Sequence, residues 1–342
     1  MHPTLLELID PYRSVSIIGM CKNAGKTTVL NAIIRHYSGN SQTLALTSIG
    51  RDGESKDLVT GTKKPGIYVP EGTLIATASD LILRHCDLTR EILETTGIST
   101  PMGDVVIFRA RSDGAVELAG PSMTTQLAHL REDFFRLGAN KVIIDGALSR
   151  KTLCSRSVTE ATILCTGASY HKNMDTVIRD TAFQCQLLTL PETRNNELRS
   201  FLQNHGDLRG IVLLGEDAPF PLPPGMALED ALRNPTGQQT TAVFFGGALS
   251  DFSIKPLLMS GAKLQGLDFV VRDSSKLLLS RDTYEKMQRR GIRLQVLESV
   301  NLTAVTINPF SAYGFHCPKE ELMSRMADRI NLPVINVMED AT

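Results

Sequence analysis

An α/β fold built on a mostly parallel sheet follows from three features of the sequence. Short runs of branched apolar residues recur along the chain with helix-period stretches between most of them, the alternation a parallel sheet requires. Residues 14–34 read as a strand, a glycine-bounded loop and an amphipathic helix. Residues 141–147 read as a buried strand that ends in an acid. The 342 residues leave room for two domains, and the linker-like Asn204-His205-Gly206-Asp207 places the break, giving a first domain over 1–204 and a smaller α/β domain over 205–342.

Composition narrows the function classes. With 42% apolar residues, 21% charged residues and a net charge of −1, the chain has the make-up of an ordinary globular protein and no basic footprint for nucleic acid or an anionic membrane. No apolar run approaches the roughly 20 residues of a membrane span. Met1-His2-Pro3-Thr4 does not open a basic and then apolar leader, so a cytoplasmic protein is expected. The six cysteines (21, 86, 154, 165, 185, 317) form no C-x-x-C pair, which argues against disulfides and zinc. Cys21 is the thiol of interest because a helix N-terminus lowers a thiol's pKa, although a small residue fitting the turn is the favoured reading.

The central motif is Gly19-Met20-Cys21-Lys22-Asn23-Ala24-Gly25-Lys26-Thr27-Thr28. Val15, Ile17 and Ile18 precede it as a strand, and Val29, Leu30, Ile33 and Ile34 follow on one helix face. In this context the run reads as a phosphate-binding loop. Backbone N–H groups from Lys22 to Thr28 face a phosphate, Lys26 supplies a cation and the Thr27 hydroxyl a Mg²⁺ ligand. The usual pattern is G-x-x-x-x-G-K-[ST]; here Met20 holds the first glycine position and Gly19 lies one residue earlier. A tight turn in which Gly25 serves only packing is the alternative, and it leaves Lys26-Thr27-Thr28 unexplained. The fold class is accordingly P-loop NTPase-like.

Along the chain, residues 3–12 suggest a short lead-in helix and Thr43–Thr47 a second strand, which empties into Ser48-Ile49-Gly50-Arg51-Asp52-Gly53-Glu54-Ser55-Lys56-Asp57. α/β folds place ligand loops at this position. Asp52, Glu54 or Asp57 would hold the Mg²⁺ hydration shell or orient water, and Arg51 would neutralise developing charge. A solvated polar turn is the alternative. Ile67–Val69 and Thr73–Ala76 read as strands, and Leu81–Leu93 as a helix. Asp104–Arg109 and Ala115–Leu118 flank Ser112-Asp113-Gly114 as a hairpin added to the sheet. A helix carrying Leu127, Leu130 and Phe134 leads to Lys141-Val142-Ile143-Ile144-Asp145, where Asp145 has the position of a Walker B acid and a helix cap is the other reading. Ile143 stands where a guanine-specificity motif needs an acid, which favours ATP over GTP.

Ala161–Cys165 reads as a strand, Met174–Phe183 as a helix and Gln186–Leu190 as a strand. Strands are then expected at Ile211–Leu214, Thr241–Phe245, Leu267–Val271, Leu294–Leu297, Leu302–Ile307 and Val334–Val337. Asn308-Pro309-Phe310-Ser311-Ala312-Tyr313-Gly314 is a turn with two aromatics, either a ligand or partner surface or an aromatic-plugged loop.

The relaxed phosphate loop is similar to those of the metal-chaperone, dethiobiotin-synthetase and Mrp-like branch, without that branch's extra lysine, whose place Cys21 takes. Together the runs 18–27, 47–57, 141–147 and 307–314 resemble the P-loop subunit of the lysine 5,6-aminomutase (ornithine aminomutase-type) reactivase family. That resemblance implies an ATP- and Mg²⁺-dependent reactivating factor that helps an adenosylcobalamin-dependent lysine or ornithine aminomutase release damaged cobalamin. It implies the aminomutase and a MutS-like ATPase subunit as partners, and leaves self-association as a homo-oligomer open. Carried onto this chain, Lys26 and Thr27 would bind nucleotide, Asp145 would support Mg²⁺, and Arg51-Asp52-Gly53-Glu54 would sense the γ-phosphate. A small-molecule ligase or kinase of the dethiobiotin-synthetase type is the competing expectation.

Overall fold

In the computed structural model the described residues are 4–39, 41–50, 66–147, 154–206, 208–215, 218–233 and 240–336. They form a mixed α/β protein with a large, mostly parallel sheet and divide into two compact units.

The first unit comprises 1–185 and 301–342. Its elements in order are α1 (Leu5–Ile9), β1 (Ser14–Gly19), α2 (Lys26–Tyr37), β2 (Leu44–Ser48), β3 (Ile67–Val69), β4 (Leu74–Ala78) and α3 (Ser79–Arg84). β5 (Arg90–Thr100), β6 (Gly103–Ala110), β7 (Gly114–Val116), α4 (Thr124–Arg136), β8 (Lys141–Ala147), β9 (Ala161–Gly167) and α5 (Met174–Leu188) follow. The second unit, 186–300, contains α6 (Asn196–His205), β10 (Ile211–Leu214), β11 (Phe220–Pro221), α7 (Leu228–Arg233), β12 (Ala242–Phe245), β13 (Leu249–Ser250) and α8 (Asp251–Met259). It continues through β14 (Asp268–Val271), β15 (Leu277–Leu278), α9 (Arg281–Arg289) and β16 (Arg293–Val296). The chain then returns to the first unit with β17 (Leu302–Asn308), α10 (Lys319–Ala327) and β18 (Val334–Asn336).

The nine-stranded sheet has the order β18-β17-β9-β1-β8-β2-β4-β6-β5. Its first seven strands run parallel, and β6 and β5 add an antiparallel hairpin beyond β4. β1 is central and all six of its residues are buried, as expected of a strand covered on both faces. On one face Val15, Ile17, Ile143 and Ile163 pack with Val29, Leu30, Ile33 and Ile34 of α2. The chain passes from β1 to β2 on one side and from β8 to β9 on the other, so β1 is a point where strand order reverses. In such sheets ligands bind at the carboxyl ends of the strands beside that point. The second unit carries its own five-stranded sheet, β11-β10-β12-β14-β16, with β12, β14 and β16 parallel.

Four expectations are corrected here. The domain break at 204 does not divide the units, because 301–342 return to the first sheet: β17 lies parallel to β9 with Val305 and Ile307 fully buried. The helix expected over 81–93 ends at Arg84, and 90–100 form the edge strand β5, held across its neighbour by the Glu91–Arg111 pair at 2.5 Å. The added hairpin is therefore β5–β6. β7 pairs instead with β3, because the Ser112-Asp113-Gly114 turn is diverted: Asp113 accepts the Glu71 N–H at 2.8 Å and Asp87 accepts the Ala115 N–H at 2.6 Å. Finally, α5 runs on through Leu188 where a strand was expected, since Val177, Thr181, Cys185 and Leu188 continue one buried helical stripe.

Candidate functional site

The loop after β1 is shaped by three backbone features. The Met20 N–H donates to the Cys165 carbonyl at 2.8 Å, extending the β1–β9 pairing one residue past the strand. The chain then turns through Asn23 at φ +59°, the one non-glycine residue at positive φ among the described residues. Gly25 follows at φ +99°, a left-handed conformation that glycine adopts without Cβ strain. Gly25 is the N-cap of α2 and provides no side chain to cap its first-turn N–H groups. Those donors and the positive end of the helix dipole favour an anion at this point.

Lys26, the first residue of α2, folds back over β1. A Cβ on Gly19 would lie 2.9 Å from the Lys26 Cγ and Cδ and 3.1 Å from its Nζ, so any larger residue there would push the lysine off its path. The irregular motif thus has a physical account: the glycine that clears the lysine's path is Gly19, not the residue at position 20. Among the described residues Lys26 makes no ion pair, and it brings a positive charge to an uncapped helix start. Lys22 is exposed, Asn23, Thr27 and Thr28 are half-buried, and Ala24 is buried in the core, where its side chain serves packing.

Strand register brings Asp145 to the same face of the sheet. It pairs with Ile17 on β1 and with Ser48 on β2, and side chains of paired residues in parallel strands point the same way, here toward α2. Cys165 is paired with Gly19 on that face and is buried between the two charged groups' fields. Burial pushes its thiol up to about 12; the Thr306 hydrogen bond and Lys26 pull it down, and Asp145 pushes it up. Asp145 also anchors the end of β2, its carbonyl accepting the Ile49 N–H at 3.0 Å. Beyond it the Ser48 hydroxyl donates to the Gly50 carbonyl at 2.9 Å and accepts the Gly120 N–H at 3.3 Å. Arg51, Asp52, Glu54 and Asp57, the remaining expected site residues, lie outside the described residues. Of the expected metal ligands, Thr27 and Asp145 are described, and among the described residues no group of three His, Cys, Asp or Glu side chains is arranged to hold a metal.

Two neighbouring strand ends lie beside this loop, and sequence reasoning gave them no role with it. Gly167 ends β9, where a Cβ would lie 2.1 Å from the Asn308 carbonyl oxygen. That carbonyl accepts the Ala168 N–H at 2.9 Å, and the Asn308 side chain reaches the Asn23 carbonyl at 3.5 Å. Asn308 is 285 residues from Asn23 in the chain, a distance no local pattern can bridge. The aromatic turn that follows was singled out by its composition and as one run of the family resemblance.

The lowered-pKa reading of Cys21 is reversed, and the favoured reading of a small residue fitting the turn is untouched by it. Burial pushes its thiol up to about 11, and the pull of Lys26 is the smaller effect. Because the protonated form dominates below that value, Cys21 stays overwhelmingly a thiol at pH 8. Iodoacetamide labelling followed by peptide mass spectrometry is expected to modify Cys21 far more slowly than a free thiol at pH 8, accelerating as pH rises toward 11. Labelling at free-cysteine rates at neutral pH would contradict this environment.

No family model, curated protein or solved structure matches this chain. Among the described residues no helix is long and apolar enough to cross a membrane.

Proposed function

We propose that the chain is an ATP-binding protein whose first unit is a P-loop NTPase-like domain and whose second, smaller α/β unit spans 186–300. One observation carries this reading: Lys26 lies over Gly19 at the uncapped start of α2, with Asp145 on the same sheet face. A phosphate at that helix start meets backbone donors and a cation that makes no ion pair among the described residues. Thr27 and Asp145 supply hard oxygen ligands suited to Mg²⁺, an ion that neutralises phosphate charge when bound. Asp52, Glu54, Asp57 and Arg51 are proposed to complete the site from the loop after β2.

The cellular role proposed is that of the family the sequence resembles: an ATP-dependent reactivating factor for an adenosylcobalamin-dependent lysine or ornithine aminomutase, working with a MutS-like ATPase subunit. Steady-state ATP turnover tests it, measured for wild type and Asp145→Asn, alone and with a cobalamin-inactivated aminomutase. Turnover stimulated by the mutase and lowered at least tenfold by Asp145→Asn supports the reading. Stimulation by a small-molecule acceptor and not by the mutase would favour a ligase or kinase of the dethiobiotin-synthetase type.

A further inference from the structure

The segment 308–317 is built with more care than a connecting turn needs. Phe310 and His316 form an antiparallel bridge, and the Cys317 N–H donates to the Pro309 carbonyl at 2.9 Å. Within that small hairpin the Gly314 N–H donates to the Ser311 carbonyl at 3.2 Å, with Gly314 at φ +84°. The hairpin is pinned to its surroundings at two points. The Ala312 N–H donates to the Ser169 hydroxyl on the segment after β9 at 3.1 Å, and the Asn308 amide donates to the Asn23 carbonyl in the phosphate loop at 3.5 Å. Two large aromatic side chains are nonetheless left open to solvent on this anchored frame: Phe310 is 57% and Tyr313 is 53% exposed.

β17 lies two strands from β1, so its carboxyl end is about 10 Å from that of β1, with Asn308 at that end reaching the loop at Asn23 and the hairpin lying beyond it. We infer that the 308–317 hairpin is the base platform of the nucleotide site, with Phe310 and Tyr313 taking the ring of a purine by stacking; this rests on the phosphate site proposed above. Asn308 is a positioning residue in this account. Its Oδ1 accepts the Phe310 N–H at 3.0 Å while its Nδ2 faces the loop, so its amide ties platform to phosphate loop instead of reading a base edge. Stacking recognises a ring's area and not its donors and acceptors. The platform therefore takes adenine and guanine alike, and nucleotide choice between them is weak.

Calorimetric titration of the full chain with ATP, GTP and inorganic tripolyphosphate tests this. The wild type is expected to bind ATP and GTP within a few-fold of each other. Phe310→Ala with Tyr313→Ala is expected to weaken both about tenfold or more, leaving tripolyphosphate affinity unchanged. Phe310→Tyr, which keeps a ring, is expected to retain wild-type affinity. Equal ATP affinity in the wild type and the double variant would overturn the platform while leaving the phosphate site standing. A wild type that binds neither ATP nor tripolyphosphate would overturn the phosphate site itself. Unchanged tripolyphosphate binding serves as the check that the double variant is folded.

Discussion

If the proposed phosphate site is as argued above, Lys26→Ala is expected to lower the affinity for ATP by a hundredfold or more, a loss of about 3 kcal/mol for removing the cation that faces the phosphates. Tripolyphosphate binding should fall by the same factor, because the lysine acts on the phosphates and not on the base. The fold should be barely affected. Lys26 makes no ion pair among the described residues, so its truncation leaves no buried partner charge there, and the thermal midpoint is expected to move by no more than a degree or two. Titration calorimetry and a melting curve on the same sample separate the two effects. ATP affinity within threefold of wild type would remove the basis of the nucleotide-site reading.

Gly167→Ala is expected to cause a large loss of stability. The new Cβ would sit 2.1 Å from the Asn308 oxygen and 2.8 Å from its carbonyl carbon, backbone atoms that cannot swing aside as a side chain can. Relief requires β17 to move away from β9, which breaks the Ala168 N–H bond to that carbonyl and disturbs the buried packing of both strands. Such overpacking plus a lost hydrogen bond costs about 2–4 kcal/mol. Gly210→Ala is the matched control, since a Cβ there meets nothing within 4 Å. Chemical denaturation of the two variants should show a lowered midpoint for position 167 and near-wild-type behaviour for position 210. Equal midpoints would mean that β9 and β17 are not packed as described.

The elements nearest the candidate site were the most legible in the sequence. Val15–Gly19, the loop and Val29–Ile34 announce strand, turn and helix because burial on both faces of a central strand and on one face of a helix leaves period-specific apolar patterns. The same holds for β8, where three branched apolar residues end in Asp145. β5 was not legible: none of its residues is buried, and its apolar residues Ile92, Leu93 and Ile98 follow no single period, so Leu81–Leu93 reads equally well as a helix. Its strand character comes from pairing with β6, an interaction the local sequence does not encode. The Ser112-Asp113-Gly114 turn has hairpin chemistry, but side chains of Asp87 and Asp113 capture nearby backbone groups and redirect β7 to β3.

The sequence alone determined the local half of this protein: the strand–loop–helix around Lys26, the acid at the end of β8, and the α/β alternation. Each is a matter of side-chain period and turn chemistry within about a dozen residues. Tertiary structure decided the rest. It placed β17 beside β9, and β18 beyond β17, despite the 115 residues of the second unit that precede the chain's return at 301. It set Asp145 and Lys26 on one sheet face, cleared Gly19 for the lysine, and carried Asn308 to the loop at Asn23. Strand order is chosen by which long-range pairings bury the most surface with every backbone group bonded, and residues far apart in the chain leave no periodic trace of that choice.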